Sequence, residues 1–189
     1  MNENMEKWEK GVGVDFVKRL GVDKGYAVLD FGAGYGHYSL PAAEIVGRNG
    51  TVFAVDKEPE PLSAIAEKAS QRNFTNIIKT IKNTGDVTLK FKPETIDHVI
   101  LFDILHSFNK EERKVLYNQV KGILKPGKNV SVYLKHSLEG YHSSDFEEKQ
   151  ELINEVEEEG LSFDEEICGT LAHNVELVEG CVLNFRKPE

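Results

Sequence analysis

The segment Val28 to His37, VLDFGAGYGH, sets an acid and three glycines where an apolar run passes into a helix-forming one. Glycines at 32, 34 and 36 let the backbone approach a bound group closely and adopt left-handed conformations. A helix starting just beyond them offers unpaired N–H groups and positive potential to a carboxylate or phosphate. Asp30, two positions before the first glycine, narrows the choice. Its carboxylate would repel a pyrophosphate but could receive an ammonium group, which favours an amino-acid-bearing cofactor. The Gly-x-Gly-x-Gly spacing also departs from the Gly-x-Gly-x-x-Gly of a dinucleotide-binding turn.

Further candidates follow along the chain. Asp56 closes the run Ala54-Val55-Asp56, and Gly85-Asp86-Val87 forms a turn pair with an acid. Asp103 and His106 fall in LFDILH, and His136 follows Tyr133-Leu134-Lys135. A neutral imidazole at His106 or His136 could take a proton from a hydroxyl or amine, although either ring could equally serve packing. Tyr35, His37 and Tyr38 could touch a cofactor or simply pack at a helix start. Asp103, His106, His136 and His142 match no recognised metal-ligand spacing, and no metal is assigned.

Short apolar runs alternating with helical segments position these residues, the signature of a parallel sheet with crossover helices. Strands are expected at 26–31, 51–56, 77–81, 97–102 and 129–134, with helices at about 37–46, 61–71 and from Asn109 onward. Asn109 and Glu112 are spaced for a capping box, and Lys125-Pro126-Gly127 reads as the turn that ends that helix. Ser144 with Glu147 opens a further helix carrying Phe146, Leu152, Ile153 and Val156, closed by Gly160. Two β-rich runs around His173-Asn174 suggest a closing antiparallel pair. An amphipathic opening at Val12 to Leu20 carries Phe16, with Trp8 just before it; the aromatics could form part of a lid, but core packing is favoured. The fold expected is a single doubly wound, Rossmann-like α/β domain over 1–189, a mostly parallel seven-stranded sheet with a C-terminal antiparallel pair and an N-terminal helical segment over 1–22 that could act as a lid.

Twenty-three Lys and Arg against 32 Asp and Glu give a net charge of −9, which disfavours nucleic acid and anionic membranes as partners. Cys168 and Cys181 stand thirteen apart without Cys-x-x-Cys spacing, so neither zinc nor a disulfide framework is indicated. No run approaches the roughly 20 apolar residues of a membrane helix, and a cytoplasmic protein is expected.

The segment around the three glycines resembles motif I of the class I S-adenosylmethionine-dependent methyltransferases, and later landmarks occur in that family's order. The resemblance implies S-adenosylmethionine as cofactor, held by Asp30, Gly32, Ala33, Gly34, Gly36, Asp56, Lys57, Asp86, Val87 and Phe102. Asp30 would lie near the methionine amine, Asp56 on the ribose hydroxyls and Asp86 on the adenine amine. It also implies in-line methyl transfer to a small-molecule acceptor, with His106 or His136 as candidate bases. No Asn-Pro-Pro-Tyr-type motif and no central cysteine point to adenine, glutamine or arsenic as acceptor. A non-catalytic S-adenosylmethionine-binding protein and an NAD-dependent oxidoreductase are the competing readings. A homodimer could supply missing walls of the acceptor site. On the favoured reading Asp56 serves the ligand, so its loss should leave the melting temperature of the free protein nearly unchanged.

Overall fold

The computed structural model describes residues 3–75, 78–134 and 149–189. Its sheet has seven strands in the order β3-β2-β1-β4-β5-β7-β6: β1 Ala27–Phe31, β2 Thr51–Asp56, β3 Ile78–Lys82, β4 Ile96–Phe102, β5 Leu124–Tyr133, β6 Ser162–His173 and β7 Glu176–Arg186. β1 to β5 pair in parallel, and β7 runs antiparallel to both β5 and β6. β6 therefore points the same way as β1 to β5. The order reverses between β1 and β4, where open α/β sheets form a ligand crevice at the carboxyl ends of their strands.

Alternation along β1 divides the core. Val28 and Asp30 face one side with Val52, Ala54 and Ile100, covered by α2 Val12–Arg19, α3 Ser39–Val46 and α4 Pro59–Gln71. Leu29 and Phe31 face the other with Val99 and Leu101, covered by α5 Lys110–Ile123 and α6 Lys149–Glu158. Every residue of β4 is buried, as expected of a strand covered on both faces.

α5 begins at the expected capping box: Asn109 accepts from the Glu112 N–H and the Glu112 side chain accepts from the Asn109 N–H. It is tied to α6 by a buried bidentate pair, Arg113 to Glu155 at 2.8 Å for both contacts, with the Tyr117 hydroxyl donating to Glu155 at 3.0 Å. The helix start expected at Ser144 lies outside the described residues.

Two features depart from the sequence reading, the start of β5 and the pairing of the cysteines. β5 starts at Leu124, so Lys125-Pro126-Gly127 lies within an irregular strand; Leu124 pairs with Ile96 and the Gly127 N–H donates to Lys187 O. A helix, α1 Glu3–Lys10, precedes α2, and its Trp8 is buried against Tyr38 with ring centroids 5.4 Å apart. Trp8 and Phe16 are 3% and 2% exposed, the packing role rather than the lid. Cys168 and Cys181 are joined by a disulfide, because the hairpin register that sets His173 opposite Glu176 also sets 168 opposite 181. No helix among the described residues is long and apolar enough to cross a membrane.

Candidate active site

Two cavities meet at Gly32 on the carboxyl edge of the sheet. The first, about 210 Å³, is lined by Asp30, Gly32, Ala33, Gly34, Phe102 and Asp103 of the expected residues, and by Tyr35, His37, Tyr38, Tyr133, Ala172, His173 and Asn174. The second, about 180 Å³, is lined by Gly32, Asp56 and Lys57 together with Phe31, Asn83, Gly85, Ile104, Ser107 and Phe108.

The glycine turn is held by β2. The N–H groups of Gly32 and Ala33 both donate to Val55 O, at 2.8 and 3.0 Å, and the Gly34 N–H donates to Asp56 Oδ2 at 2.8 Å. Asp56 Oδ1 accepts from the Glu58 N–H at 3.0 Å. Gly34 has φ +48°, and a Cβ built there would meet nothing within 4 Å, so its Cα faces open space. Gly36 differs: a Cβ there would lie 2.7 Å from Ile65, and the residue lines neither cavity.

Asp30 is buried beneath this turn and accepts from Ser39 Oγ at 2.5 Å. Burial pushes its carboxyl up to about 6 from the usual 3.8, with the neighbouring Asp56 adding to the effect and the Ser39 bond opposing it. A buried acid made reluctant to ionise gains strongly from an arriving cation.

A wall of aromatic rings closes the first cavity. Tyr38 meets Phe102 edge to face at 4.5 Å, and Phe102 meets Tyr133 at 5.9 Å. The Tyr38 hydroxyl clamps Ala172 of β6, donating to its carbonyl at 2.9 Å and accepting its N–H at 3.1 Å. His37 fastens the lip, with Nδ1 2.8 Å from buried Glu9 of α1 and Nε2 2.8 Å from Asn174 O. Lys68 of α4 and Arg72 directly after it also converge on Glu9, at 3.0 and 2.6 Å.

Other expected residues lie apart from the two cavities. Asp86 is exposed beside a neighbouring hollow, and its carboxylate is engaged by the Thr84 hydroxyl and the Thr88 N–H at 2.6 and 2.8 Å. Val87 packs into the core, and its carbonyl accepts from Gln119. His106 sits on the turn Leu105–Ser107 with its side chain 39% exposed, Nδ1 3.6 Å from Asp103 Oδ1. His136 and His142 lie outside the described residues. The residue that sequence reasoning missed is His173, whose Nδ1 is 3.2 Å from Asp103 Oδ2. Its position was implicit in the strand directions, since the end of a strand parallel to β5 must arrive at the same edge.

Comparison with known proteins bears on the family and the fold. A profile described as a methyltransferase domain matches residues 22–178. Demethylmenaquinone methyltransferase of Anoxybacillus flavithermus is 28% identical over 123 residues, covering 65% of this chain and 48% of that protein. A probable cobalt-precorrin-6B C(15)-methyltransferase (decarboxylating) of Saccharolobus solfataricus is 29% identical over 85 residues, 45% of this chain and 43% of the relative. The chain thus spans less than half the length of these two relatives. A crystal structure of an S-adenosylmethionine-dependent methyltransferase from Aquifex aeolicus shares the fold, with a TM-score of 0.72 at 17% identity over 98% of this chain and 97% of that one. With a domain profile spanning most of its length and the glycine turn, strand order and paired cavities in place, the chain belongs to the class I S-adenosylmethionine-dependent methyltransferase family.

Proposed function

We propose that the protein transfers a methyl group from S-adenosylmethionine to a small-molecule acceptor. The observation that carries this reading is the division of acids between two cavities that share Gly32, with Asp30 in one and Asp56 in the other. The donor set fits the cofactor. Asp30 receives the methionine ammonium group, and the open face of Gly34 lets the chain pass. Asp56 has lone pairs left for a vicinal diol after accepting its two backbone N–H groups. Lys57, Gly85 and Phe108 surround the nucleoside end.

S-adenosylmethionine, when bound, supplies an electrophilic methyl group on a sulfonium. The protein's own part is to orient, exclude water and manage the acceptor's proton. Phe102, Tyr133 and Tyr38 supply an apolar, rigid wall on the acceptor side, which suits a small organic acceptor. Asp30, buried against that wall, counts against a dinucleotide, whose pyrophosphate it would repel.

Calorimetry on the full chain tests the reading. S-adenosylmethionine and S-adenosylhomocysteine should bind in the micromolar range, about −8 kcal/mol. Binding of NAD with neither of these would overturn it. Gly34→Ala should weaken both ligands about tenfold, because the added methyl enters the cavity where the ligand's chain would pass. Unchanged affinity in that variant would move the ligand away from the turn.

A further inference from the structure

We infer that His173 Nε2 is the base that takes the proton from a hydroxyl acceptor, with Asp103 as the positioning residue that fixes the ring; this rests on the methyltransferase reading above. The two lie seventy positions apart in the chain and meet at the cavity that contains Asp30. Asp103 directly follows β4 and holds φ +51°, a conformation rare for residues other than glycine, with its N–H donated to Tyr133 O at 2.7 Å. Held so, it sets Oδ2 3.2 Å from His173 Nδ1. Strained backbone of this kind persists where the surroundings enforce it, and it clusters at functional sites.

The contacts also select the tautomer. A carboxylate only accepts, so Nδ1 carries the proton and Nε2 keeps its lone pair. Asn174 Nδ2 stands 3.0 Å from Nε2, as a donor should. Asn174 is an exposed turn residue, so an acceptor O–H can replace its amide at the same lone pair. His106 also faces Asp103, but at the longer distance of 3.6 Å and with its side chain 39% exposed against 11% for His173.

The step balances without a further reactant. The acceptor O–H proton passes to Nε2, giving an imidazolium paired with Asp103, as oxygen forms its bond to the methyl carbon. The carbon–sulfur bond breaks with its electron pair going to sulfur, leaving neutral S-adenosylhomocysteine, and the imidazolium later returns the proton to water. A hydroxyl requires this help because its oxygen is a poor nucleophile until the proton leaves. A neutral amine attacks first and can lose its proton afterwards.

The test uses the full chain, S-adenosylmethionine and two phenolic probes, catechol and 2-naphthol, with aniline and thiophenol for comparison, reading methylated product by mass spectrometry. Methyl ethers are expected from the phenols. His173→Gln should lower kcat about a hundredfold or more, with the calorimetric affinity for S-adenosylmethionine within about twofold of wild type. Asp103→Asn should lower kcat about tenfold and move the acid limb of the pH–rate profile to lower pH, because the ring loses the carboxylate that favours its protonated form. The other titratable groups facing this cavity are Tyr38, Tyr133, Asp30 and His37, with His106 behind Asp103; a mere packing role for Asp103 would leave the acid limb in place. A wild-type rate in His173→Gln overturns the proposal, as does a loss that follows His106→Ala instead. So does a protein that binds S-adenosylmethionine and methylates neither of the phenols. Failure to bind S-adenosylmethionine at all is a separate result, and it removes the methyltransferase reading along with this one.

Discussion

Replacing Asp30 by Asn is expected to make the free protein more stable at neutral pH and a weaker binder of S-adenosylmethionine. Burial lifts the Asp30 carboxyl from 3.8 to about 6, so between those values the folded state holds a proton that the unfolded state has released. Stability therefore falls as pH rises through that window, and above about 6 the full penalty is present. Two pH units correspond to about 3 kcal/mol. Asn carries no charge and keeps an oxygen for the Ser39 hydroxyl, so most of that cost is removed. A gain of about 2 to 3 kcal/mol should raise the melting temperature by about 4 to 12 °C at pH 7.5 and by little at pH 3.5. Cofactor affinity should fall about tenfold or more, since a charge-assisted bond to the ammonium group is worth about 1.5 to 3 kcal/mol. In the wild type, affinity should also decline as pH drops below about 6, where Asp30 takes up a proton. Thermal melts at the two pH values and calorimetry check both halves. A variant less stable at pH 7.5 would show that the charged carboxylate is not the strained element of the site.

The same opposition between site and fold is absent from His98, which lies within the strand expected at 97–102. Its ring is buried, with Nε2 2.9 Å from Ser131 Oγ, which in turn donates to Asn184 at 2.5 Å. Burial pushes the imidazole down to about 3, so it is neutral at physiological pH and plays a structural part, linking β4, β5 and β7. A strand can look apolar and still carry a satisfied polar ladder, and one sequence does not distinguish the two.

What the sequence did make legible was local. β2 matches its expected bounds because a β-branched run is bracketed by Gly50 and an acid, and the α5 start matches because both halves of its capping box lie within four residues. The glycine turn was readable for the same reason. Asp86 shows where local reading stops: Gly-Asp is a good turn pair, but the Thr84 and Thr88 contacts decide which way the carboxylate faces. The pairing of Cys168 with Cys181 depended on a register that could be counted only once the turn after His173 was known. The meeting of Asp103 with His173 depended on strand direction and on a hairpin folding back over the glycine turn. No spacing within either segment encodes that.

Asp56 is where structure changes an expectation most. The sequence suggested a residue devoted to the ligand, whose removal would leave the free protein's melting temperature nearly unchanged. Instead both of its oxygens already hold backbone: Oδ2 the Gly34 N–H and Oδ1 the Glu58 N–H. Asp56→Ala should therefore act twice. Loss of a charged acceptor for two partly solvated N–H groups should cost about 1 to 3 kcal/mol and lower the melting temperature by about 2 to 12 °C. Loss of the ribose contacts and slackening of the turn should weaken S-adenosylhomocysteine at least about tenfold at a temperature where both proteins are folded. Adenosine separates the two causes. It has the ribose but lacks the methionine portion, so a direct contact predicts that it loses affinity by a similar factor, whereas a slackened turn alone would spare it. Equal affinity for both ligands in the variant would mean that the nucleoside is held by residues other than Asp56, leaving this carboxylate as a brace for the glycine turn and nothing more.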